Sequence, residues 1–280
     1  MLSFTWCRIL AITLSSFAVD CSPEYQTKMY LRAAHAELNI PFLQQFIRDN
    51  PLGILTTAIK SDSYPFIQSS HIPFLLDVVE GDENHGILRG HMAKQNPQAK
   101  ALMDAVAQQQ QQQQQQQEQP SETSELNDEV LILFNGPYHH YITPKFYTET
   151  KPDSGKVVPT WNYSAVQAYG KIRLYSDSPS ASETTSGFLQ KQLEELSRMS
   201  ETRIMGYAQP WKVADAPENY VQLMKKNIIG IEMRIERLQG KVKMSQELKE
   251  GDRQGVINGF EKLGTDEGRG IANTVRERSS

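Results

Sequence analysis

Short strand-like segments recur along this chain, and they restrict it to a fold built largely from β-sheet. Each is rich in β-branched and aromatic residues, and turn residues separate it from the next. The predicted strands cover residues 52–59, 66–76, 86–91, 129–134, 138–142, 157–175 and 228–238, and residues 241–244 continue the last one. Helical patterns lie between several of them. We therefore predict a mainly β fold with helices, of the α+β class, in which six or seven strands close into an antiparallel barrel.

Helical segments are marked by capping residues and by apolar spacing. Asn39 is placed to cap a short helix, and Asn96 followed by Pro97 marks the start of a second one that runs to residue 103. Apolar residues recur at helical spacing over residues 188–199, which predicts a helix with one face in the core. Two more helices are predicted at residues 217–226 and 256–263, and residues 264–280 are interpreted as a C-terminal tail.

Ten consecutive glutamines occupy residues 108–117, directly after the second predicted helix. Residues 118–128 add four acidic residues and no basic one. This stretch has too little apolar surface to form a core, so we predict a disordered insertion at 108–128 that is helical only near Val106. Long inserts in surface loops cost little free energy, which favours a tolerated loop expansion over a coiled-coil partnering role.

The insertion also accounts for the acidity of the chain. The formal net charge of the 280 residues is −4, and residues 108–128 contribute all of it. The rest of the chain is balanced, so its charge does not argue against an anionic ligand. It also lacks the bulk positive charge with which proteins coat nucleic acid.

The first 28 residues are set apart from the predicted domain, which extends from Met29 to residue 263. Arg8 precedes an apolar run at residues 9–19 that resembles a weak signal-peptide core. This run is shorter than the roughly 20 apolar residues that a membrane-spanning helix needs, and no other stretch predicts a span. We interpret residues 1–28 as a leader or disordered extension, or as a mis-assigned start upstream of Met29. A working signal peptide is the alternative.

Cysteine chemistry is confined to this leader, since Cys7 and Cys21 are the only cysteines. A disulfide scaffold, a cysteine-based zinc site and a cysteine nucleophile are therefore excluded from the body of the chain. The six histidines show no clear metal-ligand spacing, and His139 and His140 point to opposite faces if they lie on a strand. The Gly-x-Ser-x-Gly, P-loop and Gly-x-Gly-x-x-Gly motifs are absent. We predict no catalytic residue and no metal site.

Several short motifs occur in an order that identifies a family. They are Met29-Tyr30; Asn50-Pro51-Leu52-Gly53-Ile54-Leu55; Ser70-His71-Ile72-Pro73-Phe74-Leu75-Leu76-Asp77; Leu88-Arg89-Gly90-His91-Met92-Ala93-Lys94-Gln95-Asn96-Pro97; Phe134-Asn135-Gly136-Pro137; Tyr141-Ile142-Thr143-Pro144; Val158-Pro159-Thr160-Trp161-Asn162-Tyr163 with Ala168-Tyr169-Gly170; and Leu238-Gln239-Gly240-Lys241-Val242-Lys243-Met244-Ser245-Gln246. In this order the chain resembles the PaiB-type family of FMN-binding negative transcriptional regulators. The motifs cover nearly all of residues 29–263.

The resemblance implies a split β-barrel of the FMN-binding type, a homodimer, and a flavin bound across the dimer interface. The sequence departs from the family pattern at two positions. Glu247 and Leu248 follow Gln246 where the family usually has Asn-Arg, and Ala99 stands where an aromatic residue is common. The first departure replaces a cation that could face a phosphate with an acid. The glutamine insertion also interrupts a connection that is normally short.

The first candidate set for FMN lies within eight residues. The phosphate of FMN needs cations and hydroxyl or amide donors, and its ring needs an apolar slot with a few polar groups. Arg89, His91, Lys94 and Asn96 offer such groups, and Arg89 and His91 share a face if they lie on a strand. We assign these four residues to the phosphate and ribityl chain. The alternatives are a salt bridge for Arg89, a solvent-exposed Lys94 and a helix cap for Asn96.

Five further residues complete the predicted cofactor site. Ser70 and His71 lie on the second predicted strand, and a hydrogen-bonded core position is the alternative for His71. The ring of Trp161 suits the flavin slot or the dimer interface, with core packing as the alternative. Lys243 and Gln246 follow a strand with six basic and two acidic residues over 225–243, which makes them candidates for binding an anion. A solvated strand face is the alternative.

Three functions are compatible with these residues. The first is an FMN-binding homodimer with a regulatory, redox or sensor role. The second is the DNA-binding repressor that the family name implies, although the sequence shows no helix-turn-helix and no basic recognition helix. The third is an FMN-dependent oxidoreductase that acts on a small molecule. We predict a cytoplasmic protein, with a nuclear location as the alternative, whose partners are FMN and a second copy of the chain. DNA is an additional candidate partner, and a membrane is not.

Overall fold

A computed structural model gives the fold of this chain for residues 31–78, 85–115, 125–176 and 182–279. The predicted leader at residues 1–28 lies outside these ranges, as does most of the acidic half of the predicted insertion. The strands and helices described below all belong to one unit, Arg32–Ser280.

Eleven strands and seven α-helices make up the part of the chain that the structure describes. The strands are β1 (Ala36–Glu37), β2 (Leu52–Ala58), β3 (Ile67–Pro73), β4 (Leu75–Asp77), β5 (Ile87–Ala93), β6 (Val130–Asn135), β7 (His140–Ile142), β8 (Thr160–Gly170), β9 (Ile172–Tyr175), β10 (Ile228–Arg234) and β11 (Arg237–Lys243). The helices are α1 (Ile40–Asp49), α2 (Pro97–Gln115), α3 (Thr150–Ser154), α4 (Ser182–Met199), α5 (Glu218–Lys226), α6 (Glu250–Glu261) and α7 (Asp266–Glu277). Each predicted strand has a counterpart within a few residues.

The strands form two antiparallel sheets that share corners. The large sheet has the order β1-β11-β8-β6-β2-β3, with β7 paired to the start of β8, and the small sheet has the order β4-β5-β10-β9. Three runs of chain pass directly from one sheet to the other, namely β3 into β4, β8 into β9, and β10 into β11. The two sheets therefore enclose a split β-barrel, and the predicted α+β fold is confirmed.

Gly170 shows how the chain turns such a corner. It is the last residue of β8, just before the strand enters the small sheet. A Cβ atom at this position would lie 2.1 Å from the backbone carbonyl oxygen of Arg234 at the end of β10. Only a residue without a side chain allows two backbones to approach so closely.

The barrel core is built from the inward side chains of both sheets. Side chains alternate between the two faces of a strand, so register partners on neighbouring strands lie side by side. One such buried row crosses four strands of the large sheet and contains Leu55, Ile132, Ala168 and Leu238. The small sheet contributes residues such as Leu88 and Ile231 to the same core.

Helix α1 packs against the barrel with the apolar face that the sequence predicted. Leu43 and Ile47 are fully buried, and Asn39 caps the helix by accepting a hydrogen bond from the backbone N–H of Phe42 at 3.0 Å. Gly240 on β11 makes room for Leu43, because a Cβ atom there would lie 2.2 Å from the leucine side chain. The prediction of a capped amphipathic helix is confirmed here.

A second, smaller core lies beneath the two C-terminal helices. Phe260 of α6 and Ile271 and Val275 of α7 are buried against Ile142 and Val242 from the sheet. The tail expected at residues 264–280 is therefore an ordered helix. Its sequence conceals this, because α7 has a low content of apolar residues, and those few are concentrated on one face.

Helix α2 and the glutamine run also differ from the prediction. The helix expected to end near residue 103 continues through Gln115. Gln109 binds the returning chain, because its Nε2 donates to the carbonyl of Glu125 at 3.2 Å and its Oε1 accepts from the N–H of Asn127 at 3.1 Å. Leu126 is buried, so regular packing resumes within the segment that we expected to be disordered. Residues 116–124 lie outside the described ranges.

Candidate functional site

The predicted site residues lie in two groups on the barrel. The β3–α2 group consists of Ser70 and His71 on β3, Arg89 and His91 on β5, and Lys94 and Asn96 just before α2. The β8–β11 group consists of Trp161 on β8 and of Lys243 and Gln246 at the end of β11. Two strands, β2 and β6, separate β3 from β8. The register places Ser70 level with Ala168, and Trp161 lies seven residues further along β8, a rise of roughly 23 Å along the strand direction. One subunit therefore does not bring the two groups together.

Asn96 joins β3 to the start of α2. Its Nδ2 donates to the hydroxyl of Ser70 at 2.9 Å, and its Oδ1 accepts from the N–H of Gln98 at 2.8 Å, which caps the helix. The Ser70 hydroxyl accepts in this contact and keeps its own proton for another acceptor. The N-terminus of α2 carries a partial positive charge, and Lys94 adds a full charge two residues before the cap. This point of the barrel favours an anion.

Two buried side-chain atoms beside this point have no hydrogen-bond partner among the residues that the structure describes. They are Nε2 of Gln68 and Oε1 of Gln98. Nδ1 of His91 is also buried and unpaired, but strand alternation places it with Arg89 on the outer face of the small sheet. Gln98 is fixed from its other end, because its Nε2 donates to the carbonyls of Leu55 and Gln68, both at 3.1 Å, and to the hydroxyl of Thr57 at 3.0 Å. Buried donors are nearly always paired in folded proteins. The unpaired Gln68 amide therefore fits a polar ligand.

His91 faces away from the barrel core, on the side of the small sheet that α4 covers. Burial lowers the pKa of His91, because the charged imidazolium loses hydration inside the protein. No contact of the ring with Ser70 or Asn96 is seen, so the assignment of His91 to FMN stays a prediction.

Arg89 connects elements of the fold to one another. Its guanidinium contacts Asp77 through Nε at 2.5 Å and through Nη2 at 2.9 Å, and it also binds Glu195. Its Nη1 donates to Gln192 of α4 at 3.2 Å. Burial by itself lowers the pKa of Arg89, but the hydrogen bonds that it donates to Asp77 and Glu195 outweigh burial and raise it. One cation between two carboxylates does not attract a phosphate, so this geometry favours the salt-bridge alternative.

The outward face of the large sheet links the two groups. His71 lies opposite Ile54, which lies opposite Leu133, and strand alternation places Trp161 and Lys243 on this same face. We call the outward residues Leu52, Ile54, Ile67, Leu131 and Leu133 the outer apolar face. Leu52 is 58% exposed and Ile67 is 65% exposed. A contiguous apolar surface of this kind marks an interaction site.

Trp161 lies in an exposed aromatic cluster at the far corner of this face. Its ring is 53% exposed. The ring of His139 stacks on it with a centroid distance of 6.5 Å, and the ring of Tyr141 packs edge-on at 6.2 Å. Such a surface suits a planar ligand or a partner subunit, and it does not fit the core-packing alternative.

Lys243 is held by groups of its own subunit. Its Nζ donates to the hydroxyl of Thr160 at 2.6 Å and to the carbonyl of Trp161 at 2.9 Å, and it lies 3.8 Å from Glu247. Burial lowers the pKa of Lys243, while the charge of Glu247 acts in the opposite direction. Glu247 is bound in turn by the buried ring of His35 at 2.9 Å. The acid that departs from the family pattern therefore neutralises a cation that we had assigned to the phosphate.

Gln246 closes the turn after β11. Its Nε2 donates to the carbonyl of Val242 and its Oε1 accepts from the N–H of Met244, both at 2.6 Å. Ser245 between them has a positive φ of 64° and is held by Asn162 at 3.1 Å. Both ends of the Gln246 amide are used inside the subunit, so its assignment to FMN stays a prediction.

Two residues of the β3–α2 group were missed by the sequence analysis. Gln68 lies two residues before Ser70 on β3, and strand alternation alone places both on the inward face. Gln98 lies two residues after the cap Asn96, in the first turn of α2. Alternation could have identified Gln68, but the partners of Gln98 come from β2 and β3, more than 25 residues away.

Two other kinds of site were searched for in the part of the chain that the structure describes. No group of three or more His, Cys, Asp or Glu residues there could hold a metal ion. None of the helices described is both long enough and apolar enough to cross a membrane.

Comparison with known proteins gives a family match over most of the chain. The family model described as "Putative FMN-binding domain" matches residues 29–237. An uncharacterized protein of Emericella nidulans is 68% identical over 253 residues, which cover 89% of this chain and 97% of that protein. The "Protease synthase and sporulation protein PAI 2" of Bacillus subtilis is 24% identical over 229 residues, with 82% of this chain and 87% of that protein covered.

Solved structures give more distant matches. The FAD and heme binding protein of Mycobacterium smegmatis is 10% identical, with 75% of this chain and 73% of that chain covered, and the TM-score is 0.42. A conserved hypothetical protein of Mycobacterium tuberculosis is 13% identical, with 79% and 94% covered and a TM-score of 0.39.

Proposed function

Since the chain belongs to the FMN-binding domain family, as its PaiB-type motifs predicted, we propose that it is a homodimeric flavoprotein whose FMN site is shared by two subunits. The observation that carries this proposal is the set of unpaired buried groups beside the capped start of α2. The residues present there fit FMN, because they combine a cation, a hydroxyl and amide donors around one point.

The phosphate of FMN would bind at this point. The Ser70 hydroxyl and Nε2 of Gln68 donate to it, and Lys94 and the N-terminus of α2 supply positive charge. Asn96 positions Ser70 and caps the helix, so it organises the site. Arg89 takes no part in binding, because it is paired with two carboxylates.

The flavin ring would be covered by a second subunit. We place the dimer interface on the outer apolar face, where a two-fold axis would exchange its two corners. The partner subunit's Trp161 would then lie near His71, the member of the β3–α2 group on the outward face. This arrangement explains why the two predicted groups lie at distant corners of a single chain.

A redox role follows from this site more directly than DNA binding does. When bound, FMN supplies a ring that accepts and returns a hydride. The aromatic cluster at Trp161 leaves an open surface on which a small planar molecule can stack. By contrast, arginines at the C-terminal helix that could face DNA phosphates are paired, Arg276 with Glu261 and Arg278 with Glu37. We therefore propose an FMN-dependent oxidoreductase acting on a small molecule.

The phosphate assignment is tested by FMN titration followed by flavin fluorescence. Gln68→Glu keeps the shape of the side chain but replaces the buried donor with a carboxylate, so we expect FMN binding to weaken by about tenfold or more. Gln254→Glu makes the same change on the exposed side of α6 and serves as the matched control. Equal affinity in Gln68→Glu and wild type, with the fold intact, would remove this phosphate site.

The proposed reaction is tested separately with the FMN-loaded dimer. A nicotinamide donor should bleach the flavin absorbance, and a small-molecule acceptor should restore it at a rate that depends on its concentration. A dimer that binds FMN but is not reduced by any nicotinamide donor would retain the cofactor assignment and contradict the oxidoreductase role.

A further inference from the structure

A second cavity lies outside the barrel, in the helical segment between β9 and β10. It has a volume of about 690 Å³ and is lined by α4, by α5 and by the one-turn 3-10 helix Val213–Asp215 that precedes α5. An adjoining cavity of about 640 Å³ shares Gly187, Gln190, Val213 and Ala214 with it. None of these residues belongs to the two groups assigned to FMN.

A buried lysine points to the chemistry of this cavity. Lys225 is only 7% exposed, and its Nζ donates to the hydroxyl of Ser186 and to Oε1 of Gln190, both at 3.1 Å. Both partners are neutral, and in the described part of the chain Lys225 forms no ion pair. An ammonium group has three N–H donors. Because buried charges are normally paired, the remaining donor calls for an anion in the cavity.

Ser186 offers a second donor to the same ligand. Its oxygen accepts from Lys225, so the hydroxyl proton can be donated to another acceptor. Gln190 Nε2 uses one of its two N–H groups on Glu194 at 2.7 Å, and its second N–H is a further donor at the cavity. One N–H of Lys225 and the O–H of Ser186 match the two oxygens of a carboxylate.

Gly187 provides the space for such a ligand. It is an exposed residue in the second turn of α4 that lines both cavities, and a Cβ atom there would meet no atom within 4 Å. Glycine lowers helix stability relative to alanine, so packing within the subunit gives no reason for it. An empty volume beside the helix is its structural consequence.

The other lining residues narrow the ligand class. Glu183 and Glu218 also line the cavity, and their charges disfavour added negative charge, a doubly charged phosphate more than a singly charged carboxylate. Val213 and Val221 offer apolar surface. We propose that this cavity binds a small aliphatic carboxylate, whose carboxylate contacts Lys225 and Ser186 and whose chain lies against the valines.

Isothermal titration calorimetry at low ionic strength tests the ligand class with the full chain. Sodium hexanoate should bind with one site per chain. Hexanamide, which has the same shape and no charge, and inorganic phosphate should each bind about tenfold more weakly or worse. Absence of hexanoate binding, or equal binding of hexanamide, would overturn the proposal.

Variants test the location. Lys225→Met should weaken hexanoate binding by about tenfold or more, while Lys226→Met, a change at the exposed neighbouring residue, should leave it within about twofold. Gly187→Leu keeps the lysine and fills the cavity, so it should abolish binding without lowering the melting temperature. If Lys225→Met does not fold, Gly187→Leu still tests the location of the ligand. Hexanoate binding that survives Gly187→Leu would place the ligand elsewhere and contradict the proposal.

Discussion

Replacing Arg89 with methionine tests whether this residue stabilises the fold or binds the phosphate of FMN. The side chain is almost fully buried between the carboxylates of Asp77 and Glu195, and methionine fills much of the same volume without the charge. If Arg89 only connects β4, β5 and α4, the substitution should destabilise the fold and leave FMN binding unchanged.

The expected loss of stability follows from the exposure of the two acids. Removing one partner of a buried ion pair costs about 3–5 kcal/mol. The side chains of Asp77 and Glu195 are 41% and 29% exposed, so both carboxylates regain some hydration once the guanidinium is gone. We therefore expect a loss at the lower end, about 3 kcal/mol, with a fall in melting temperature of about 6–12 °C.

Urea unfolding followed by circular dichroism measures the loss of stability. FMN titration well below the unfolding transition measures the affinity for FMN. Arg234→Met, at an exposed position on β10, is the control and should change stability by no more than about 0.5 kcal/mol. The reasoning is refuted if Arg89→Met costs less than about 1 kcal/mol. It is also refuted if the folded variant binds FMN more than about tenfold more weakly than wild type.

Three further perturbations test other parts of the structure. Leu133→Lys places a charge on the outer apolar face, so it should convert the dimer to a monomer in gel filtration and abolish FMN binding. Leu223→Lys, at an exposed position on α5, is the control and should remain dimeric. If both variants remain dimeric, the outer apolar face is not the interface. Gly170→Ala should destabilise the fold by about 2–3 kcal/mol in urea unfolding, because its Cβ would lie 2.1 Å from the carbonyl oxygen of Arg234. An unchanged free energy of unfolding would contradict the close approach of the two backbones at this corner. Burial alone would raise the pKa of Glu247, but its hydrogen bond with His35 lowers it below the ordinary value of 4.5. Stability from this carboxylate is therefore present above about pH 4.5 and lost as the pH falls through the lower folded-state pKa. In urea unfolding measured from about pH 6 to 3, the free energy of unfolding of Glu247→Gln should fall less steeply with decreasing pH than that of wild type. An identical pH dependence in the variant and wild type would show that the contact between Glu247 and His35 does not stabilise the fold.

Local chemistry made much of the fold predictable. Asn39 and Asn96 were identified as helix caps because short polar side chains satisfy free N–H groups at helix starts, and both do so here. The strands followed from alternating or continuous apolar runs. The helix over residues 188–199 was also correct, although its buried face includes the polar Gln192, which pairs with Arg89.

The remainder depends on contacts between distant parts of the chain. Arg89 meets Glu195, which lies 106 residues later, and no local pattern reveals that pairing. Helix α7 was missed because its stability comes from packing Ile271 and Val275 beneath the sheet, while most of its other residues are polar. The separation of the predicted site into two groups required the strand order and register, which motif order alone does not supply.

Light scattering combined with flavin absorbance during gel filtration tests the central claim most directly. After incubation with excess FMN and removal of free cofactor, we predict a particle of about twice the chain mass of 31.8 kDa that carries one FMN per chain. A monomer that carries a full complement of FMN would contradict the shared site, and a dimer that takes up no FMN would contradict flavin binding itself.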